Sequence, residues 1–330
     1  MNKIAIVNSS SFGKIFPDHL TKLREIGEVA FFNFDQHIPG KELAENLKGY
    51  NYIIASVTPF FNQEFFENKD ELRLLSRHGI GYNNVDLEAA KAHDTIVSII
   101  PALVEREAVA EQNITNLLNL MRQVSQSTRR VLSDKWEDRA QFVGNTLYGK
   151  TVGMIGVGNT GSCMAETLRY GFRCRVISYD PNKSALEMQQ HGVEKVELDY
   201  LLEVADVICL AANLTEDSYH MINAQAIEKM KKGVYISNSA RGALIDESAV
   251  IAALESGHIA GYATDVLEVE PGRATHPLLK FDNVIMTPHT GAYTKECLEE
   301  MGKKCVQDVQ DVIQGKLPVR SIQSHSSYIK

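Results

Sequence analysis

Along the first hundred residues, short apolar runs alternate with longer stretches whose apolar positions recur every three or four residues. The runs at 4–7, 29–34, 52–56 and 96–100 read as strands, and the stretches between them as helices with one polar face. Such alternation predicts a parallel sheet covered by helices. Pro101 interrupts it, and residues 105–124, apolar at Ala108, Ile114, Leu117, Leu118 and Met121, predict a long helix. Strands are then predicted at 151–155, 175–179, 234–236, 262–267 and 284–287, with a helix at 162–170. A last helix over 296–314 would return the chain to its first part. The pattern predicts an α/β protein of two doubly wound parallel-sheet domains. Residues 1–101 plus 296–330 would form a flavodoxin-like domain, and residues 102–295 an inserted Rossmann domain. Two chain crossings between domains would make a hinge.

Residues 149–161, GKTVGMIGVGNTG, place Gly156, Gly158 and Gly161 as G-x-G-x-x-G between a predicted strand and a predicted helix. The first glycine permits a tight turn, the second lets a pyrophosphate approach the backbone, and the third lets helix pack closely on strand. Asn159 and Thr160 would turn backbone N–H groups toward that anion at the helix N-terminus. Asp180 ends the next strand at about the ~20-residue spacing at which an acid accepts hydrogen bonds from an adenine ribose. A carboxylate there would also repel a 2′-phosphate, which favours NAD over NADP.

Further along, YISNSARGALIDE and ATDVLEVEP set Arg241 after the strand at 234–236 and Glu270 just past the strand at 262–267. The strand at 284–287 leads to Pro288 and His289. Ligands bind at the carboxyl ends of strands in such sheets, so topology draws these three side chains toward one crevice. An arginine fork can hold a carboxylate and polarise the carbonyl beside it. A histidine paired to a carboxylate stays protonated near neutral pH and can deliver a proton. The trio suits reduction of a 2-keto acid, with the hydride coming from a cofactor. Glu268 is the alternative acid, and His276 a distant alternative to His289. The remaining histidines, His19, His37, His93 and His191 among them, are assigned no role.

With RHGIGYNNVDLEAA (residues 77–90), AVAEQ (108–112), GVGNTG, SYDP, SNSARGALIDE, ATDVLEVEP and TPHTGAYT in this order, the chain resembles the D-isomer-specific 2-hydroxyacid dehydrogenases. The resemblance implies that Arg241 binds the substrate carboxylate and carbonyl, that His289 is the general acid/base, and that Glu270 raises the His289 pKa. It implies that Asn213, Ser239, Ala240 and Asp265 contact the cofactor, the last three at its nicotinamide end. It also implies that the backbone N–H groups of Ile80 and Gly81 bind the substrate carboxylate. Departures from the commoner pattern are Ala211–Ala212–Asn213 in the strand over the adenine, Gln112 after Ala-Val-Ala-Glu, and Thr160 in the glycine loop. Ala292 leaves room for a larger substrate group, and residues 55–59 carry no arginine for a phosphate. Phe60, Phe61, Phe65 and Phe66 would suit an apolar substrate or simply fill a core. The function this implies is NAD-dependent interconversion of a small 2-keto acid and a D-2-hydroxy acid. Phosphoglycerate or glyoxylate/hydroxypyruvate reduction is the alternative within the family, and a non-catalytic NAD-sensing corepressor the alternative outside it.

A formal net charge of −8, without a basic run, argues against nucleic acid as a partner. No apolar stretch reaches the ~20 residues of a membrane span, and residues 1–10 are too short an apolar run for a signal peptide, so a cytoplasmic protein is expected. Cys163, Cys174, Cys209, Cys297 and Cys305 lack metal-ligand spacing, so they read as free thiols and no metal is expected. Residues 126–147, which hold Trp136, exceed what a helix-to-strand connection needs; the resemblance implies a dimer arm, hence a homodimer.

Overall fold

The computed structural model describes residues 2–322. These divide into two compact units, one made of residues up to 105 together with those from 293 onward, the other of residues 106–292. In the first unit, β1 (Lys3–Val7), α1 (Pro17–Ile26), β2 (Glu28–Phe32), α2 (Gly40–Asn46) and β3 (Tyr52–Ala55) open the chain. They are followed by α3 (Gln63–Asn68), β4 (Leu74–Arg77), α4 (Leu87–Ala92) and β5 (Ile96–Ser98). The five strands pair in parallel in the order β2-β1-β3-β4-β5, which is the flavodoxin-like order. Ala5, Ile53, Leu75 and Val97 pack with Phe61, Phe65 and Phe66 in its core.

Strand β4 is absent from the sequence expectation. Its residues, LLSR, are all buried, but Ser76 and Arg77 read as polar because their hydrogen-bond partners come from elsewhere in the unit. Ser76 Oγ donates to Asp308 Oδ2 at 2.8 Å, and Arg77 donates to the carbonyls of Ala55, Ser56 and Gly81.

Helix α5 (Ala102–Arg122) runs across the division between the units, and α6 (Val124–Leu132) follows it. The second unit continues with β6 (Thr151–Ile155), α7 (Asn159–Glu166), β7 (Arg175–Tyr179), α8 (Ala185–Gln190), β8 (Glu194–Lys195), α9 (Leu198–Val204) and β9 (Val207–Leu210). It ends with α10 (Ala224–Lys229), β10 (Val234–Asn238), α11 (Glu247–Glu255), β11 (Ile259–Thr264) and β12 (Val284–Met286). The seven strands are parallel in the order β12-β11-β10-β9-β6-β7-β8, the Rossmann order with one strand added beyond its last. Helix α12 (Lys295–Ile313), capped by Thr294 Oγ1 accepting from Cys297 N at 3.1 Å, belongs to the first unit and packs on β4.

Several elements differ in their bounds from the pattern, and two of these carry loops of the candidate site. The strand expected at 262–267 is β11, which stops at Thr264 because its pairing with β12 ends at Thr264 and Met286. Thr264 Oγ1 then accepts from Val266 N at 3.2 Å and turns the chain out of the sheet. The helix expected at 162–170 starts three residues earlier as α7 and ends in a π-helical turn, Thr167–Gly171. All five cysteines are unpaired and buried. Among the described residues, no helix is long and apolar enough to cross a membrane.

Candidate active site

The glycine loop links β6 to α7. Gly156 has φ +93°, and a Cβ there would lie 2.8 Å from Ala212 N, so only glycine fits. At Gly161 a Cβ would lie 2.4 Å from the Gly156 carbonyl oxygen, which is the close helix-to-strand approach the third glycine allows. At Gly158, by contrast, nothing lies within 4 Å of the missing Cβ, and α7 begins at the next residue. Open space over bare backbone at a helix N-terminus suits a pyrophosphate. Asp180, just past β7, is tied to this loop: its Oδ2 accepts from Val157 N at 2.9 Å and its Oδ1 from Asn182 N at 2.9 Å. Asn213 lies past β9, where its carbonyl accepts from Ser218 Oγ at 2.8 Å.

At the carboxyl ends of β10, β11 and β12, the second unit gathers Arg241, Glu270 and His289. Glu270 Oε2 lies 2.8 Å from His289 Nδ1, while Glu270 Oε1 accepts from Leu267 N at 3.0 Å. Burial by itself lowers the His289 pKa, but the hydrogen bond and charge of Glu270 outweigh it and hold His289 above its ordinary value of 6.5. In Glu270, burial pushes upward, and the contacts with His289 and Leu267 together with the Arg241 charge bring it below the ordinary 4.5. The Arg241 charge also opposes protonation of His289, so the guanidinium stands close enough to be felt by both partners. With Nδ1 facing Glu270, Nε2 is the ring nitrogen left to face a substrate. The alternatives have other partners: Glu268 Oε1 sits 2.7 Å from His220 Nε2, and His276 Nε2 sits 3.4 Å from Glu247.

A buried polar frame holds these residues. Asn238, fully buried at the end of β10, accepts from Ala240 N at 3.0 Å and donates to the Arg241 carbonyl at 2.9 Å, which fixes the Ser239–Ala240–Arg241 turn. Asn113 Nδ2 donates to Ser239 Oγ at 3.2 Å. Asp265 accepts from Thr290 N (2.9 Å), Gly291 N (2.7 Å) and Thr287 Oγ1 (2.5 Å), clamping the turn that carries His289. Asn116 and Gln112 on α5 donate to Thr287 Oγ1 at 2.9 and 3.4 Å. Sequence reading missed Asn113, Asn116 and Asn238. Their signal was an asparagine at each of three positions on otherwise apolar faces, where burial demands a partner.

In the first unit, Ile80 and Gly81 follow β4, and both are half-buried. Of the four phenylalanines near β3, Phe61, Phe65 and Phe66 fill the core and only Phe60 is exposed, at 42%.

Residues 114–291 match the family described as "D-isomer specific 2-hydroxyacid dehydrogenase, NAD binding domain". The chain belongs to the D-isomer-specific 2-hydroxyacid dehydrogenases. It is an oxidoreductase acting on CH–OH groups, and residues 106–292 form the unit that contains its NAD-binding domain. A glyoxylate reductase of Thermofilum pendens is 30% identical to this dehydrogenase over 311 residues, 92% of this chain and 91% of its own. A D-3-phosphoglycerate dehydrogenase of Archaeoglobus fulgidus is 35% identical over 281 residues, which are 85% of this chain and 53% of that longer protein. Among solved structures, the apo form of D-lactate dehydrogenase from Escherichia coli superposes with a TM-score of 0.84 at 31% identity, covering 97% of this chain and 99% of its own.

Proposed function

We propose that this dehydrogenase reduces a small, unphosphorylated 2-keto acid to the D-2-hydroxy acid. The observation that carries the reading is the 2.8 Å His289–Glu270 pair, its imidazole held above the ordinary pKa and the Arg241 charge beside it. His289 delivers a proton from Nε2 to the carbonyl oxygen, and Glu270 keeps the imidazole oriented and charged. Arg241 holds the substrate carboxylate and stabilises the oxyanion that develops on the adjacent carbon. In the reverse direction a neutral His289 accepts the proton. The backbone N–H groups of Ile80 and Gly81 share the substrate carboxylate. Bound in its reduced form, NAD would supply the hydride. Gly156, Gly158, Asn159, Thr160 and Gly161 would cradle its pyrophosphate, and Asp180 would accept from its ribose hydroxyls in preference to a 2′-phosphate. Asn213 would face the adenine side, and Ser239, Ala240 and Asp265 the nicotinamide end.

Two features favour an unphosphorylated substrate: residues 55–59 carry no arginine, and Val57, Phe60 and Tyr82 present apolar surface near the loops that follow β3 and β4. The deciding experiment measures NADH absorbance with a panel of pyruvate, longer 2-keto acids, glyoxylate, hydroxypyruvate and 3-phosphohydroxypyruvate, each with wild type and His289→Gln. Turnover with an unphosphorylated keto acid, reduced by about 100-fold or more in the variant, is expected. A preference for the phosphorylated substrate would overturn the substrate assignment, and near-wild-type rates in the variant would overturn the proton role. We further propose a cytoplasmic homodimer joined through residues 126–147, a reading supported by the five unpaired thiols and by the exposed apolar side chains of that segment.

A further inference from the structure

One hydrogen bond in the first unit bears on substrate choice. The Ile80 N–H donates to Glu105 Oε1 at 3.0 Å. A Cβ at Gly79 would sit 3.8 Å from that same Glu105 oxygen and 3.8 Å from Arg77 Nη2, so the carboxylate and the guanidinium both flank the loop. The loop's direction is fixed on both sides of Ile80: the Gly79 carbonyl accepts from Ile100 N at 3.3 Å and the Gly81 carbonyl from Arg77 Nε at 3.0 Å. With the neighbouring carbonyls tied down, the Ile80 N–H has a set orientation, and the anion that meets it comes from the chain itself. Glu105 reaches this position from the first turn of α5, on a side chain with three rotatable bonds.

We propose that Glu105 is a specificity-determining residue, a tethered rival that holds the Ile80 N–H until a substrate carboxylate displaces it. The inference rests on the reading that Ile80 receives the substrate carboxylate. One N–H cannot serve two carboxylates at full strength, and like charges at contact repel most where water is scarce. The displaced Glu105 stays attached nearby, so its charge weakens binding of every keto acid and weakens dianions most. Glu105 thereby selects 2-keto acids with a single carboxylate against those with a second one.

The test compares wild type with Glu105→Gln, nearly the same shape without the charge, and with Glu105→Ala, measuring kcat and KM for pyruvate and for oxaloacetate. Expected is a fall in KM on the order of tenfold for pyruvate in Glu105→Gln and a larger fall for oxaloacetate, with kcat within about threefold of wild type. Glu105→Ala is expected to follow the same ranking, whereas a merely structural role would lower kcat and leave the ranking of the two substrates unmoved. Unchanged or raised KM values alongside wild-type turnover would overturn the inference alone. No NADH oxidation by wild type or either variant would overturn the proposed function itself, and with it the basis for this role.

Discussion

His289 takes a backbone φ of +54°, in the left-handed region that residues with a Cβ enter at some cost. Asp265 and Glu270 hold it there from two sides, one by the backbone of its turn and the other by its ring. Because Glu270 is what keeps His289 above 6.5, the pH profile of reduction follows from the sign of that shift. In the proposed reaction the protonated ring is the active form, so kcat/KM is expected to be flat at low pH and to fall as pH rises through the elevated His289 pKa. In Glu270→Gln the falling limb should move to lower pH, because a neutral amide no longer favours the imidazolium. An unmoved limb would assign the titration to another group. That Arg241, Glu270 and His289 gather at one sheet edge was readable from the sequence, because each is a chemically committed side chain at the end of an apolar run. The parts played by Asn238 and by the clamp formed by Asp265 were not readable, since a buried amide or carboxylate acquires its meaning from partners that only strand register brings near.

Helices and strands were legible where periodicity was long or punctuation strong: β6 and β7 lie where the pattern sets them, and α12 differs by a residue at each end. Strand β4 was not, being four residues of which the last two are a serine and an arginine. Burial of such residues depends on the buried Asp308 carboxylate and on carbonyls from the β3 end, contacts that no local pattern encodes. Gly161→Ala would drive a methyl into the Gly156 carbonyl, a clash of backbone with side chain that no rotamer relieves. A rise in the dissociation constant for NADH of about tenfold or more is expected by fluorescence titration. Wild-type affinity in that variant would show that the loop tolerates the shift.

Across the whole molecule, large apolar side chains remain exposed over residues 124–143: Val124, Val131, Leu132, Trp136 and Val143, with Leu132 at 80% and Trp136 at 67%. Apolar exposure of this extent suits the proposed interface, and a tryptophan within it is a residue type enriched at energetic centres. Trp136→Glu should raise the dimer dissociation constant about tenfold or more in sedimentation velocity, by placing a charge where an apolar contact is proposed. A wild-type chain that sediments as a monomer would remove the proposed arm. A different consequence follows from the partners of Asp308, whose carboxylate accepts from Ser76 on β4 and Ser98 on β5 at 2.8 and 2.5 Å. Those serines and their partner are separated by more than two hundred positions, with the entire cofactor-binding unit between them. As the polypeptide leaves the ribosome, residues 106–292 have all the strands they need before α12 has been made. The part of the molecule translated first is thus the last that can finish folding, and until Asp308 emerges its sheet waits with two hydroxyls bare.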